Sequence, residues 1–173
     1  MTRGPAFCPH DEHLDQGDIF SSVPLGKWED GKLIQGPGVR AVITSHGCAC
    51  EDYERALEAG RTQAAAKIML QVAPLRTIKG VPANRLEEIA TGKHLDYFYV
   101  FGEANKLPDH LLDFTQEQPV PASVLTKCTK IARLSAWQWR RLLVHLAVSR
   151  FHQQPEKLFL PELLEQEAGA IDT

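Results

Sequence analysis

The sequence predicts a mainly β domain, a small barrel with helical insertions and a packed C-terminal helix. Three observations predict it. Short β-branched and aromatic runs recur, clearest at Val39–Thr44, Lys67–Val72 and Tyr97–Phe101, and such runs suit a pleated surface. Only one stretch, Ala136 to about Gln153, sustains helical periodicity over several turns. The strands, five or six in all, are too short and too numerous for a parallel α/β sheet. With 173 residues, 43% of them apolar and 24% charged, there is material for one core, and general disorder is excluded.

The elements follow in order. Residues 1–16, with Pro5, Pro9 and mixed charge, read as an N-terminal arm rather than a core element. The domain spans 17–153, and 154–173 reads as an acidic tail. Gly17-Asp18 opens a short apolar run, Ile19-Phe20, that ends near Pro24. Lys27–Gly38 holds three glycines and a proline and reads as a loop. Val39–Thr44 is the first strong strand, and Glu51–Ala59 a short helix that Gly60 ends. Lys67–Val72 is a strand stopped by Pro74. Asn84–Thr91 is a second short helix with Gly92 as its C-terminal glycine. Tyr97–Phe101, Leu111–Phe114 and Ser123–Thr126 read as further strands. Ser135 then caps the long helix. Trp139, Leu142, Leu143, Leu146, Ala147 and Phe151 share its apolar face, with Gln138, Arg141, His145 and His152 opposite. Pro155 halts it, and Pro161-Glu162-Leu163-Leu164 suggests a last helical turn.

No apolar run reaches 18 residues, which excludes a membrane-spanning helix. Residues 1–18 lack the apolar centre of a secretory signal, and four cysteines are too few for a disulfide scaffold. A cytoplasmic protein is expected. The net charge of −3 hides an uneven distribution. Asp11, Glu12, Asp15 and Asp18 crowd the start, whereas Lys127, Lys130, Arg133, Arg140, Arg141 and Arg150 fill a stretch without carboxylates. Such a block faces phosphates, an acidic partner, or the chain's own acidic ends.

Two clusters carry the residue types of zinc ligands: Cys8, His10 and His13, then His46, Cys48 and Cys50. Zinc takes four ligands from sulfur and imidazole, commonly as two short pairs. Cys8, His10, Cys48 and Cys50 would form such a site, although a single intervening residue points extended neighbours to opposite faces. The alternatives are a solvated arm, a Cys50 that begins the following helix, a His46 that bonds the turn at Gly47, and a Cys128 that packs as a small apolar residue. His46 beside Cys48 also has the composition of a nucleophile and its base. Trp137 and Trp139, next to Arg140 and Arg141, suit either base stacking with phosphate binding or packing at the helix start.

The order of the pieces resembles the MazF/PemK family of small-barrel toxins. The matching residues are Gly17-Asp18-Ile19-Phe20, Gly38-Val39-Arg40 with the strand to Ser45, Lys67–Val72 followed by Ala73-Pro74-Leu75-Arg76-Thr77, and Lys130–Leu134 before the helix. The resemblance implies an SH3-like small barrel, a homodimer, and a ribosome-independent endoribonuclease acting on single-stranded RNA and paired with a protein antitoxin. It places Arg40 and Thr77 at the cleaving site. Arginine suits the phosphate that gains charge, through its fork of donors, and a threonine hydroxyl can bond a phosphate oxygen. Arg76, Arg140 and Arg141 are the expected RNA contacts. His46, at a strand end, has the chemistry of a general base. Ala41 stands where the family has proline, so the alternative is a non-catalytic protein-interaction module, zinc-stabilised or not, of a phage or mobile element.

Overall fold

The computed structural model describes residues 5–29 and 32–151. Eight strands form one antiparallel sheet: β1 (Phe7–Cys8), β2 (Asp18–Glu29), β3 (Lys32–Ile43), β4 (Met69–Thr77), β5 (Tyr97–Val100), β6 (His110–Asp113), β7 (Gln118–Pro121) and β8 (Lys130–Leu134). The helices are α1 (Gly47–Glu58), α2 (Thr62–Ala65), α3 (Ala83–Ala90), α4 (Ala122–Leu125) and α5 (Ala136–Phe151). The strand order is β1-β8-β2-β3-β4-β6-β5, with β7 also on β4. The domain is therefore mainly β with helical parts. Among the described residues no ladder joins β5 to β1, and the sheet is open.

Strand β4 organises the middle of the sheet. Its first half pairs with β7 (Met69↔Pro121 to Val72↔Gln118) and its last residues with β6 (Leu75↔Leu112 to Thr77↔His110). A 3-10 turn at Phe114–Gln116 separates those two partners. Pro74 lies where β4 passes from one to the other and opposite Ala41 of β3. It does not stop the strand, because proline is tolerated where a ladder is interrupted.

The central strands are apolar on both sides because both sides are covered, and such strands read as continuous runs rather than alternations. Phe20, Ala41, Ile43 and Val72 join a core with Cys50 and Tyr53 of α1, Ala65 of α2 and Leu125 of α4. Ile19, Val42, Ala73 and Leu75 join the opposite core, with Phe98, Leu112 and, from α5, Leu142 and Leu146. Ile89 of α3, Tyr99 and Leu111 form a third, smaller cluster.

Several expectations are corrected. Lys27–Gly38 is not a loop, since its ends belong to β2 and β3, whose hairpin runs in register from Ile19↔Val42 to Glu29↔Lys32 with two bulges. Gly36 and Gly38 serve close backbone approach. A Cβ on Gly38 would come 2.7 Å from Ser22 Cα, a contact only glycine tolerates. Ser123–Thr126 is not a strand, because Ala122–Leu125 forms α4. The N-terminal segment is not merely an arm: β1 pairs with β8, and Ala6, Phe7 and Leu14 are buried. On α5 the inward face includes Gln138 and His145, both buried beside Leu142 and Leu146. Ser135 is buried and its hydroxyl has no partner among the described residues, so it does not cap α5 through its side chain. Its backbone instead joins the helix start to the N-terminal segment, with Ser135 N donating to Ala6 O. The short helices at Gly60 and Gly92 end as expected, and Gly92 adopts the left-handed φ of 77° that favours glycine. His152, Gln153, the expected turn after Pro161 and the acidic tail lie outside the described residues.

Candidate functional site

Two places on the sheet gather chemistry-bearing side chains. The first lies between β2 and β8. Antiparallel pairing sets Asp18 opposite Arg133. The Asp18 carboxylate is fully buried and accepts from Arg133 Nε at 2.6 Å, with Lys130 Nζ at 2.7 Å on its other oxygen. It also accepts from Asp15 N at 2.8 Å. Asp11 lies 3.1 Å from Arg133, and the carbonyl of His13 accepts from both cations. Burial opposes the Asp11 charge, but Arg133 and Lys130 outweigh it and hold this carboxyl below its ordinary range. The bond from Asp18 pushes Arg133 the other way, so its charge is fixed. This cluster is a structural clasp. Two members of the basic block face the chain's own acidic segment, one of the alternatives the sequence left open.

The second place is the fork where β3 and β4 part. Their ladder runs from Ile43↔Val72 to Ala41↔Pro74. Arg40 follows by one residue and Thr77 by three, which is about 3 and 10 Å of extended backbone. Both therefore leave the same end of neighbouring strands, and both are exposed. Among the described residues Arg40 makes no hydrogen bond or ion pair. Thr77 Oγ1 accepts from Lys79 N at 3.2 Å, which leaves its proton available to donate. Arg76 is taken up differently: its guanidinium pairs with Asp113, a carboxylate with no exposed surface. Asp113 also accepts from Thr115 N and Oγ1.

His46 is not brought to this fork. It lies past Ile43, beyond the opposite end of the β3–β4 ladder, and precedes α1 as its N-cap. Its Nδ1 accepts from Cys48 N at 3.3 Å, the turn-bonding role that the sequence allowed. Arg140 is exposed on α5. Arg141 donates to Ala90 O at 2.8 Å and covers the rings of Phe98 and Phe101 at 5.2 and 4.9 Å. It ties α5 to the end of α3. Arg150 pairs with Glu117.

The four cysteines are free. Cys48 is exposed in the first turn of α1, whereas Cys50 is buried in the core. Burial, with Asp15, Asp18 and Glu54 nearby, pushes the Cys50 thiol up to about 12, away from the thiolate that zinc or nucleophilic chemistry uses. Cys8 Sγ bonds Leu134 O at 3.4 Å, and His10 is exposed. Among the described residues no three His, Cys, Asp or Glu side chains are grouped to hold a metal. No helix among them is long and apolar enough to cross a membrane.

Comparison with known proteins adds no relative: no protein-family model matches the chain, and no curated protein matches it.

Sequence reasoning missed the importance of Asp18, Asp113 and Gln138. Gln138 has no exposed surface and bonds Ala6 O, Phe101 N and Phe101 O. The available signal was position. Asp18 sits at a strand start beside apolar residues, where a charge needs a partner.

Proposed function

We propose that this chain cleaves single-stranded RNA at the fork between β3 and β4, as a cytoplasmic, open-sheet variant of the SH3-like MazF/PemK barrel. Arg40 and Thr77 carry the reaction. The supporting observation is that two residues from separate strands leave the same end of one ladder, both exposed, with the guanidinium uncommitted among the described residues. In the reaction an RNA 2′-oxygen attacks the adjacent phosphorus, the 5′-oxygen leaves, and a 2′,3′-cyclic phosphate results. Arg40 stabilises the charge that builds on the phosphate oxygens, and Thr77 donates to one of them. The 2′-hydroxyl proton goes to solvent and the departing 5′-oxygen takes one from solvent, because His46 lies beyond the far end of the ladder. Arg76, held by Asp113, contributes field beside Thr77 rather than a free fork. A second copy and a protein antitoxin are the partners this function implies.

The test is incubation of the full chain with end-labelled single-stranded RNA in EDTA. Wild-type protein is expected to release cyclic-phosphate ends, and Arg40→Ala to lower the rate by about 10²-fold or more. Intact RNA with wild-type protein, or equal cleavage by Arg40→Ala, overturns this function.

One observation favours the second reading, a non-catalytic protein-interaction module. Lys130, Arg133, Arg76 and Arg150 are each paired with carboxylates of their own chain, which leaves fewer cations for an RNA backbone. Under that reading wild-type protein leaves RNA intact and Arg40→Ala retains its fold.

A further inference from the structure

An RNA 2′-hydroxyl that attacks phosphorus must lose its proton, and the strand next to Thr77 carries an imidazole. Register sets His110 of β6 opposite Thr77 of β4 on one flank and opposite Val100 of β5 on the other. Exposure rises along this row of three. Val100 has no exposed surface, His110 is 5% exposed, and Thr77 is open to solvent. The row therefore opens on the Thr77 side.

The alternation of side chains puts the groups of the fork on one face. Val42, Ala73, Leu75 and Leu112 all pack into the core that holds Leu142 and Leu146 of α5. Successive side chains of a strand point to opposite faces. Arg40 lies two residues before Val42, Thr77 two after Leu75, and His110 two before Leu112, so all three share that face. Leu111, opposite Arg76, packs with Ile89 and Tyr99 on the other one. Residues directly opposite in an antiparallel ladder hold their Cβ atoms about 4.5–5.5 Å apart. The His110 imidazole and the Thr77 hydroxyl are thus neighbours, as a ribose 2′-hydroxyl and its 3′-phosphate are.

The backbone also fixes the tautomer. His110 Nδ1 lies 2.6 Å from Pro108 O. A carbonyl oxygen only accepts, so Nδ1 carries the hydrogen, and in the neutral ring Nε2 holds the lone pair. Among the described residues Nε2 has no hydrogen-bond or ion-pair partner. A general base needs such a nitrogen, steadied through its other side and unspent.

We propose, on the basis of RNA cleavage at the fork, that His110 is a catalytic residue whose Nε2 takes the 2′-hydroxyl proton of the ribose whose 3′-phosphate Arg40 and Thr77 hold. The 2′-oxygen forms its bond to phosphorus, the bond to the 5′-oxygen breaks with its electron pair, and the 5′-oxygen takes a proton from solvent. His110 then gives the proton it accepted to solvent and returns to the neutral ring. Solvent is the destination of that proton and Nε2 its first stop.

The test adds two variants to the assay with end-labelled single-stranded RNA. His110→Asn keeps a side-chain donor for Pro108 O and removes the base. Its single-turnover rate at saturating protein is expected to fall about 10²-fold or more, while its affinity for an uncleavable 2′-fluoro RNA of the same sequence stays that of wild type. In His110→Ala, added imidazoles are expected to restore cleavage, faster for the more basic ones, a response that a structural role does not produce. Cleavage by folded His110→Asn at the wild-type rate overturns the role of His110 and leaves cleavage at the fork standing. A fall in rate matched by lost RNA affinity, or one that no imidazole rescues, makes His110 structural and overturns the role as well. Intact RNA with wild-type protein overturns cleavage at the fork and the base together. Should the variants fail to fold, the ¹⁵N-labelled wild-type chain decides. A saturable shift of the His110 Nε2 resonance with the 2′-fluoro RNA is expected, and a resonance that does not move overturns the role.

Discussion

Strands β8 and β3 flank β2, and each presents an arginine of opposite fate. Arg133 on β8 is mostly buried and bonded to Asp18 through Nε, with Asp11 and the His13 carbonyl both on its Nη2. Arg40 on β3 is exposed and has no such partner among the described residues. The difference teaches that crowding of cations along a chain is a poor guide to their availability. Two members of the densest basic stretch, Lys130 and Arg133, turn inward because a buried carboxylate waits there. The arginine that stands apart in sequence stays in water.

The largest expected effect comes from breaking the buried side of this comparison. Asp18→Asn leaves Lys130 and Arg133 enclosed without their counter-charge, and stability is expected to fall by about 3–5 kcal/mol. Urea denaturation measures it, and a loss under about 1 kcal/mol would show that the clasp is dispensable.

A smaller effect concerns His145, a would-be cation with no ion-pair partner among the described residues. It is buried between Phe98 and Phe114, bonds Leu95 O at 2.9 Å, and has the Arg141 charge close by. Burial, chiefly, lowers its pKa below the ordinary 6.5, and Arg141 acts in the same direction. The unfolded chain therefore takes up the proton more readily than the folded one. The stability that neutral His145 contributes is complete above about pH 6.5 and is lost as the pH falls from there through its folded value. Thermal melts between pH 7.5 and 5 are expected to show a decline that His145→Phe flattens. An unchanged slope in that variant would place the decline elsewhere.

The smallest effect is on the exposed side. Arg40→Ala is expected to change stability by no more than about 0.5 kcal/mol, whatever it does to RNA cleavage. A loss comparable with that of Asp18→Asn would mean that Arg40 is structural too, and the contrast between the two flanks would disappear.

The legible parts of the fold were those set by local physics. Val39–Thr44 and Tyr97–Phe101 announced strands through β-branched and aromatic side chains, and Gly92 announced a helix end through its backbone freedom. The hairpin across Lys27–Gly38 was hidden because Gly36, Pro37 and Gly38 are also loop residues, and close approach to Ser22 and Leu25 is a tertiary fact. Ser123–Thr126 was misread because a one-turn helix and a short strand share the same apolar composition. The inward face of α5 was read at Leu142 and Leu146 but missed at Gln138 and His145, which are polar yet buried, satisfied by Ala6, Phe101 and Leu95 far away in sequence. At the fork, the common exit of Arg40 and Thr77 follows from antiparallel neighbours. The distance of His46 follows from the same pairing, which residue order alone does not reveal.

Pairing between β1 and β8 has a temporal consequence. Cys8 bonds the carbonyl of Leu134, and Ala6 O accepts from Gln138, so residues translated early obtain their partners only about 130 positions later. A nascent chain stalled before β8 would hold Asp18 without either cation and leave one edge of β2 unpaired. Ribosome-bound intermediates of this protein should therefore stay protease-sensitive at their leading end until the final strand emerges, the slow closure that long-range pairing imposes.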